Sequence, residues 1–396
     1  MTAPGHALDP QTPDWSGQTG FVQRHRAAFW LFLVALLVTG LDFVSRQADL
    51  AAHAQTAWLL TILLLLPYAI PAVAIIYYLD SYEREPLSIL LAAVLWGGVV
   101  ATTLALYTNT PVIELIFKLT ADPQFTSDWG AAISAPVVEE LFKGLGIVLL
   151  VSIARAELDD VLDGFVWGAM VGIGFLLVED VFYFVRAFGE TGSLVTVFEM
   201  FLIRILGAGP YSHFLYSGLV GMGIASWYVR DDLARGPRAL VAAGYVLAGW
   251  AAHFFWDSPV LLSLLGEGGI SSWIVFVTIK GLPMLIGLGI VVNLARKRER
   301  RWFSGLAAAF VDDGAITEGE RVSLSGLRAR RRVRKAALRA KGRAGEQLMG
   351  RIQRAQLDLA RTYSRSRSEA DPTVMGVAHE VRRLKTEYEA LPPAGG

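Results

Sequence analysis

Apolar residues fall in long, nearly unbroken blocks, unlike the alternating or helically spaced positions that build half-buried strands and helices of soluble domains. Stretches of about 18 or more mainly apolar residues are long enough to cross a bilayer as helices. Such stretches lie near residues 27–44, 57–79, 87–107, 131–153, 164–186, 210–229, 239–262 and 272–295. The first is interrupted by Thr39, Gly40 and Asp42 and is the weakest of the set. The pattern predicts an all-α fold, a polytopic membrane helical bundle of about eight transmembrane helices. Connections between the blocks are too short to hold another folded unit, so residues 27–295 read as one transmembrane domain. Residues 1–26, with Pro and Gly among polar residues, read as a disordered tail. Beyond about residue 303 the chain becomes rich in Arg, Ala, Leu and Lys, as in LRARRRVRKAALRAKGRAGEQLMGRIQRAQLDLARTYSR. That composition predicts a basic helical tail over 296–396. No long-period repeat is evident.

Composition supports the membrane reading, because 54% of the 396 residues are hydrophobic and only 18% are charged, more apolar than a soluble core requires. Cysteine is absent, which excludes disulfides, thiolate metal sites and a cysteine nucleophile. A cleavable signal would place its charges at the extreme N-terminus and end its shorter apolar region at a small-residue site; Arg24 and Arg26 sit too far in, so the first span is expected to be retained. The 36 Lys and Arg balance 36 Asp and Glu overall, yet residues 296–396 hold 23 of the former and 12 of the latter. Positive charge at span ends marks the cytoplasmic side. The RKRERR run at 296–301, Arg230, Arg235, Arg238, Arg24 and Arg26 all fall on one side of an eight-span arrangement, which predicts a multi-pass protein of the cell membrane with both termini cytoplasmic. The basic run at 328–343 could hold anionic lipid headgroups at about 1 kcal/mol per cation, although a solvated charged helix accounts for it as well. Nucleic acid is not expected as a partner.

The charges inside the spans carry the chemistry. A carboxylate at bilayer depth costs at least ~2.5 kcal/mol and usually faces the bundle interior or a water-filled cavity. Glu139, Glu140 and Lys143 lie in APVVEELFKG, Glu179 and Asp180 in GFLLVEDVFYF, His213 in PYSHFLYSG, and His253 with Asp257 in WAAHFFWDSP. With the N-terminus inside, Glu139 falls about eight residues, or ~12 Å, below the outer end of its span. Glu179 and His253 come to a similar depth and His213 lies nearer the surface, so four helices put polar groups on the external side. Glu139 and Lys143, His253 and Asp257, and Glu179 and Tyr183 are each four residues apart and share a helix face. Glu140 points about 100° from Glu139, so the two are expected to have different neighbours. Gly164, Gly168 and Gly172 form a small-residue ridge, most simply read as packing. Taken singly, each has a structural reading, Glu139–Lys143 as an ion pair, His213 as an interfacial histidine and His253–Asp257 as a hydrogen bond; their joint occurrence favours one site.

Carboxylates and imidazoles in a partly dehydrated cavity can activate water, and imidazole or carboxylic acid donors can stabilise an oxyanion. Hydrolysis of a peptide bond is therefore chemically accessible. HExxH is absent, as are a GxGD aspartate pair and a serine nucleophile in a Gly-rich turn.

YYLDSYEREP at 77–86, PVVEELFKG, DGFVWGAMVGIGFLLVEDVFYF, the His213 segment and HFFWD occur in the order found in the PrsW family of intramembrane proteases, which this chain resembles over roughly residues 60–295. EExxK alone is a weak signal, whereas five elements in order are specific. The family is related to the CAAX prenyl proteases, whose glutamates and histidines activate water without a nucleophilic side chain. The resemblance implies that Glu139 is the activating carboxylate, Glu140 its orienting neighbour and Glu179, in F175xxxE179, the second water-holding group. His253 and Asp257 resemble the HxxxN element of the oxyanion site, and His213 matches a histidine of the PrsW branch. Lys143 and Asp180 are supporting residues. Asp180 and Asp257 stand where Asn is usual, so Asp257 must be protonated or serve to orient His253. The implied substrate is a single-span membrane protein, such as an anti-sigma factor, cut on the external side. No cofactor is predicted, though Glu139, Glu179, His213 and His253 could ligate Zn²⁺. Two other classes remain open: a proton-coupled transporter relaying protons through the same carboxylates, and a non-catalytic membrane scaffold. Inverted repeats and broken helices, which a transporter would show, are not evident.

Overall fold

The computed structural model describes residues 20–78, 85–209, 212–260, 269–311, 313–366 and 368–394. Residues 1–19 of the expected N-terminal tail, 79–84 of the YYLDSYEREP element, and 210–211 beside His213 lie outside the described residues. The described residues are helical, with no strand among them.

The first unit carries α1 (Ala27–His53), α2 (Gln55–Tyr77), α3 (Leu87–Thr120), α4 (Pro123–Ile153), α5 (Val161–Thr191), α6 (Leu194–Met200), α7 (His213–Val229), α8 (Arg235–Asp257) and the start of α9 (Gly269–Ala308). Wide π-helical turns occupy Trp96–Ala101 within α3, and others continue α6 over Phe201–Ala208. Among the described residues, seven helical runs are long and apolar enough to cross a membrane: Ala27–His53, Gln55–Tyr77, Leu87–Thr120, Val161–Thr191, Leu194–Val229, Arg235–Asp257 and Ser271–Ala308. These fit seven of the expected spans. The eighth, α4, has 31 residues, and the three charges at Glu139, Glu140 and Lys143 keep it out of a count based on apolarity.

Local sequence explains the helix ends. Ala121 takes a left-handed conformation (φ 50°) after α3, and Asp122 then accepts from the Phe125 N–H while Pro123 opens α4 with a fixed φ. With a turn this short, α4 begins at Pro123 rather than near 131, so Glu139 lies close to the middle of the helix. Asp160 and Asp163 form a reciprocal capping box at the start of α5. α1 runs unbroken through Thr39, Gly40 and Asp42, because Thr39 Oγ bonds to the Ala35 carbonyl and Asp42 pairs with Arg46 and Tyr107.

α5 is the central helix, with most of its residues buried from Val161 to Val185. Its glycine ridge does more than pack. A Cβ built on Gly168 would lie 2.1 Å from the Ser217 carbonyl oxygen, and one on Gly172 would lie 2.3 Å from that of His213. Only glycine allows the backbones of α5 and α7 to approach this closely, and the contact sets the position of His213 and Ser217.

The second unit takes up the chain from Val291. It contains α10 (Glu318–Leu324), α11 (Leu327–Ser366) and α12 (Pro372–Ala390). Phe303, Phe310, Leu324, Ile352, Leu359 and Val381 belong to its separate hydrophobic core. α11 breaks at Lys341 and Gly342, where Gly342 has φ 66°. Lys341 Nζ donates to the carbonyls of Tyr388, Glu389 and Leu391 at 2.7–2.8 Å, tying the break to the end of α12.

Gly172→Val is expected to cost about 1–3 kcal/mol of stability by overpacking the α5–α7 contact, measured by thermal unfolding in detergent. Gly189→Ala, where nothing lies within 4 Å of the added carbon, should leave the transition in place.

Candidate active site

The polar residues of the spans converge. α4 supplies Glu139, Glu140 and Lys143, all buried, with Lys143 fully enclosed at 0% exposure. Lys143 Nζ donates to Glu140 Oε1 at 2.9 Å and to Glu139 Oε2 at 3.4 Å, and it lies 2.9 Å from His213 Nδ1. It also sits 3.8 Å from the centre of the Phe175 ring, a cation–π contact in a dry setting. An ammonium has no acceptor lone pair, so His213 accepts at Nδ1 and carries its hydrogen at Nε2. That Nε2–H donates to Glu179 Oε2 at 3.0 Å.

His253, from α8, stands between two carboxylates. Its Nδ1 is 3.1 Å from Glu140 Oε1 and its Nε2 is 3.3 Å from Asp257 Oδ2. The Tyr216 ring stacks on it with centroids 4.7 Å apart. Glu139 and Glu140 therefore share neighbours, contrary to what their 100° separation suggests: both reach Lys143, and Glu139 Oε2 is 3.9 Å from His253 Nε2. The lysine and the imidazole are long enough to present polar atoms to both faces of α4.

Several residues of the site are not legible in the span pattern. Asn109 Nδ2 donates to Glu139 Oε1 at 3.2 Å, and Ser134 Oγ holds the amide by donating to Asn109 Oδ1 at 2.9 Å. Ser217 Oγ donates to Glu140 Oε2 at 2.9 Å. Arg204, from the π-helical turns after α6, pairs with both Glu179 and Asp180 and lies 3.9 Å from the centre of the Tyr183 ring. Lys280, on α9 and fully buried, donates to the carbonyls of Trp256 and Ser258 at 2.9 and 2.6 Å, which satisfies the end of α8 beside Asp257. Arg204 and Lys280 do leave a sequence signal, since each is a lone cation in an apolar run. Asn109, Ser134 and Ser217 leave none.

A cavity of about 490 Å³ opens over this cluster. Glu139, Glu179, His213, His253, Asp257 and Arg204 line it. Glu140 does not; both its oxygens are taken up by Lys143, His253 and Ser217.

Glu139, His213 and His253 each offer one ligand atom within 4.8 Å of the others. Carboxylate and imidazole suit Zn²⁺. The second polar atom of each is held by a different side chain, Asn109, Glu179 and Glu140 respectively, the kind of outer support that orients metal ligands. The donors thus fit a zinc ion in kind and in support. Lys143 uses two of the same atoms, so an ammonium and a metal ion would compete for His213 Nδ1. Glu179, the fourth residue expected as a ligand, instead stands behind His213.

A family model described as PrsW family intramembrane metalloprotease matches residues 85–282. Over 125 residues the chain is 30% identical to the Protease PrsW of Geobacillus kaustophilus (strain HTA426), a match covering 31% of this chain and 52% of that relative. The chain thus spans about half the length of the curated relative it matches. No solved structure matches it.

Lys143→Met removes the cation shared by two buried carboxylates and is expected to cost about 3–5 kcal/mol. Adding Glu140→Gln should recover part of that loss. Thermal unfolding of the purified variants in detergent checks both statements.

Proposed function

Because the chain belongs to the PrsW family of intramembrane metalloproteases, we propose that it is an endopeptidase that hydrolyses membrane-anchored proteins near the external face of the cell membrane, with both termini cytoplasmic. The observation that carries the mechanism is the division of labour between the adjacent glutamates. Both are buried and hydrogen-bonded, but Glu139 lines the cavity beside His213, His253 and Asp257, whereas Glu140 does not. Glu139 is the general base that takes a proton from the attacking water. Glu140 fixes His253 through Nδ1, and Asp257 orients the same ring from its other nitrogen. His253 becomes the donor to the developing oxyanion as its Nε2–H passes from Asp257 to the substrate oxygen, which gives Asp257 a role that does not require a protonated carboxyl. Glu179 sets the tautomer of His213, and Lys143 balances the charge of the glutamate pair. The cavity is bounded by Phe175, Leu176, Ile113 and Trp256, apolar walls suited to an unwound segment of a single membrane-spanning helix. Anti-sigma factors are the substrate class that the family resemblance suggests.

A zinc-dependent form of the same reaction is favoured by the convergence of Glu139, His213 and His253. A zinc ion held there would supply Lewis-acid polarisation of the scissile carbonyl. In that form Glu139 and His253 would serve as ligands in place of their base and donor roles, with Asn109, Glu179 and Glu140 orienting the three ligand residues.

With purified protein and a single-span substrate in proteoliposomes, Glu139→Gln should lower turnover by about a hundredfold or more while the protein stays folded. Persistence of cleavage in that variant contradicts the role of Glu139. Chelation that abolishes cleavage, with recovery on adding Zn²⁺, establishes the metal form; full activity after exhaustive chelation establishes the metal-free one.

The second unit is proposed to bind the anionic membrane surface. Arg328, Arg332, Lys335 and Arg339 recur at helical spacing, are exposed, and form no ion pair among the described residues. Each can contribute about 1 kcal/mol near anionic lipid. The chain lacks cysteine, so a single Ala340→Cys labels one site. Its labelling should slow in nanodiscs containing phosphatidylglycerol relative to phosphatidylcholine alone, and the slowing should vanish when Arg332, Lys335 and Arg339 are changed to Glu. Equal rates in both lipids contradict the proposal.

A further inference from the structure

Glu179 and Asp180 are consecutive carboxylates on the central helix. The Asp180 side chain is fully buried and that of Glu179 is 18% exposed. Two neighbouring negative charges in a desolvated setting are strongly disfavoured unless a cation lies against them. Lys143 is committed to the glutamates of α4 and His213. Arg204 is the cation that both acids contact: its Nη2 donates to Glu179 Oε2 at 2.9 Å, and its Nε donates to Asp180 Oδ1. Tyr183, one turn along the same helix, carries the guanidinium on its ring. The fork of an arginine can address two carboxylates in a fixed geometry, which a lysine cannot reproduce.

Glu179 Oε2 has a second duty, since it accepts the Nε2–H of His213 at 3.0 Å. The same oxygen is the one that Arg204 Nη2 contacts, so the arginine and the histidine fix the Glu179 carboxyl together. Asp180, by contrast, forms no hydrogen bond or ion pair with the histidines among the described residues, and its Oδ2 has no hydrogen-bond partner among them. Asp180 therefore adds a negative charge beside the site without serving the site directly.

We propose that Arg204 is a positioning residue that, by pairing with Asp180 and Glu179 at once, holds the Glu179 carboxyl where it orients His213. Arg204 and Asp180 act as a coupled pair: the need for the arginine is created by the aspartate. The kinetic part of this inference rests on the peptidase reading. The energetic part does not.

The test is a cycle of wild type, Arg204→Met, Asp180→Asn and the double variant, as purified full-length chain. Turnover and KM on a single-span substrate are read together with thermal unfolding in detergent, and Arg204→Lys serves as the conservative variant. Arg204→Met should lower kcat about tenfold or more, as the loss of outer support for a reacting group does, with KM little changed. In the Asp180→Asn background the same substitution should have a much smaller effect on both kcat and the unfolding temperature. Arg204→Lys should restore the charge without the fork and fall between wild type and Arg204→Met. An equal loss in both backgrounds overturns the pairing, and a loss confined to KM makes Arg204 a substrate contact instead. If wild type itself cleaves nothing, the peptidase reading fails, and the coupling in unfolding temperature alone decides the pairing.

Discussion

One ammonium group, buried close to the middle of α4, holds this structure's polar interior together. Lys143 is shared by Glu139, Glu140 and His213 and rests on the face of Phe175. Taking such charges out of water costs several kcal/mol per ion, and mutual attraction offsets this only when every hydrogen-bonding position is filled. α4, α5, α7 and α8 are therefore constrained to deliver their polar atoms within hydrogen-bonding distance of one another. The glycines of α5 meet that requirement mechanically, by letting α7 come close enough for His213 to reach between Lys143 and Glu179.

The same requirement separates the two adjacent glutamates. Glu140 is held by Lys143, His253 and Ser217 away from the cavity, and Glu139, held by Asn109 and Lys143, lines it. Further out, charge is balanced locally: Arg204 against Glu179 and Asp180, Lys280 against the carbonyls that end α8. These cations show why the bundle tolerates ionisable groups in several spans, since each lies against an acid or a carbonyl cluster.

Much of the bundle was legible in the hydrophobic pattern, because apolar blocks of membrane length have few other structural solutions. The charges within those blocks also identified the residues that meet in the cavity, since a carboxylate in a span needs a polar neighbour. Two kinds of information were lost. The pattern placed the end of the third span near residue 107 and the start of the sixth near 210, which left Asn109 and Arg204 outside the spans they help to organise. Helical geometry gives the direction of a Cβ but not the reach of a long side chain, so the sharing of Lys143 and His253 by Glu139 and Glu140 was not foreseeable. Ser217 became a site residue only through the close approach of α7 to Gly168, a contact between segments far apart in the chain.

The central claim is that this buried cluster performs peptide hydrolysis rather than merely holding the bundle together. Its most direct test is to compare the N-termini of membrane-protein ectodomains in cells expressing wild type and cells expressing the Glu139→Gln, Glu140→Gln double variant at matched abundance. Termini present only with wild type, at cuts close to the external membrane face, are the expected result. Identical sets of termini, with both proteins folded and in the membrane, would contradict it and leave the cluster a structural or proton-conducting one.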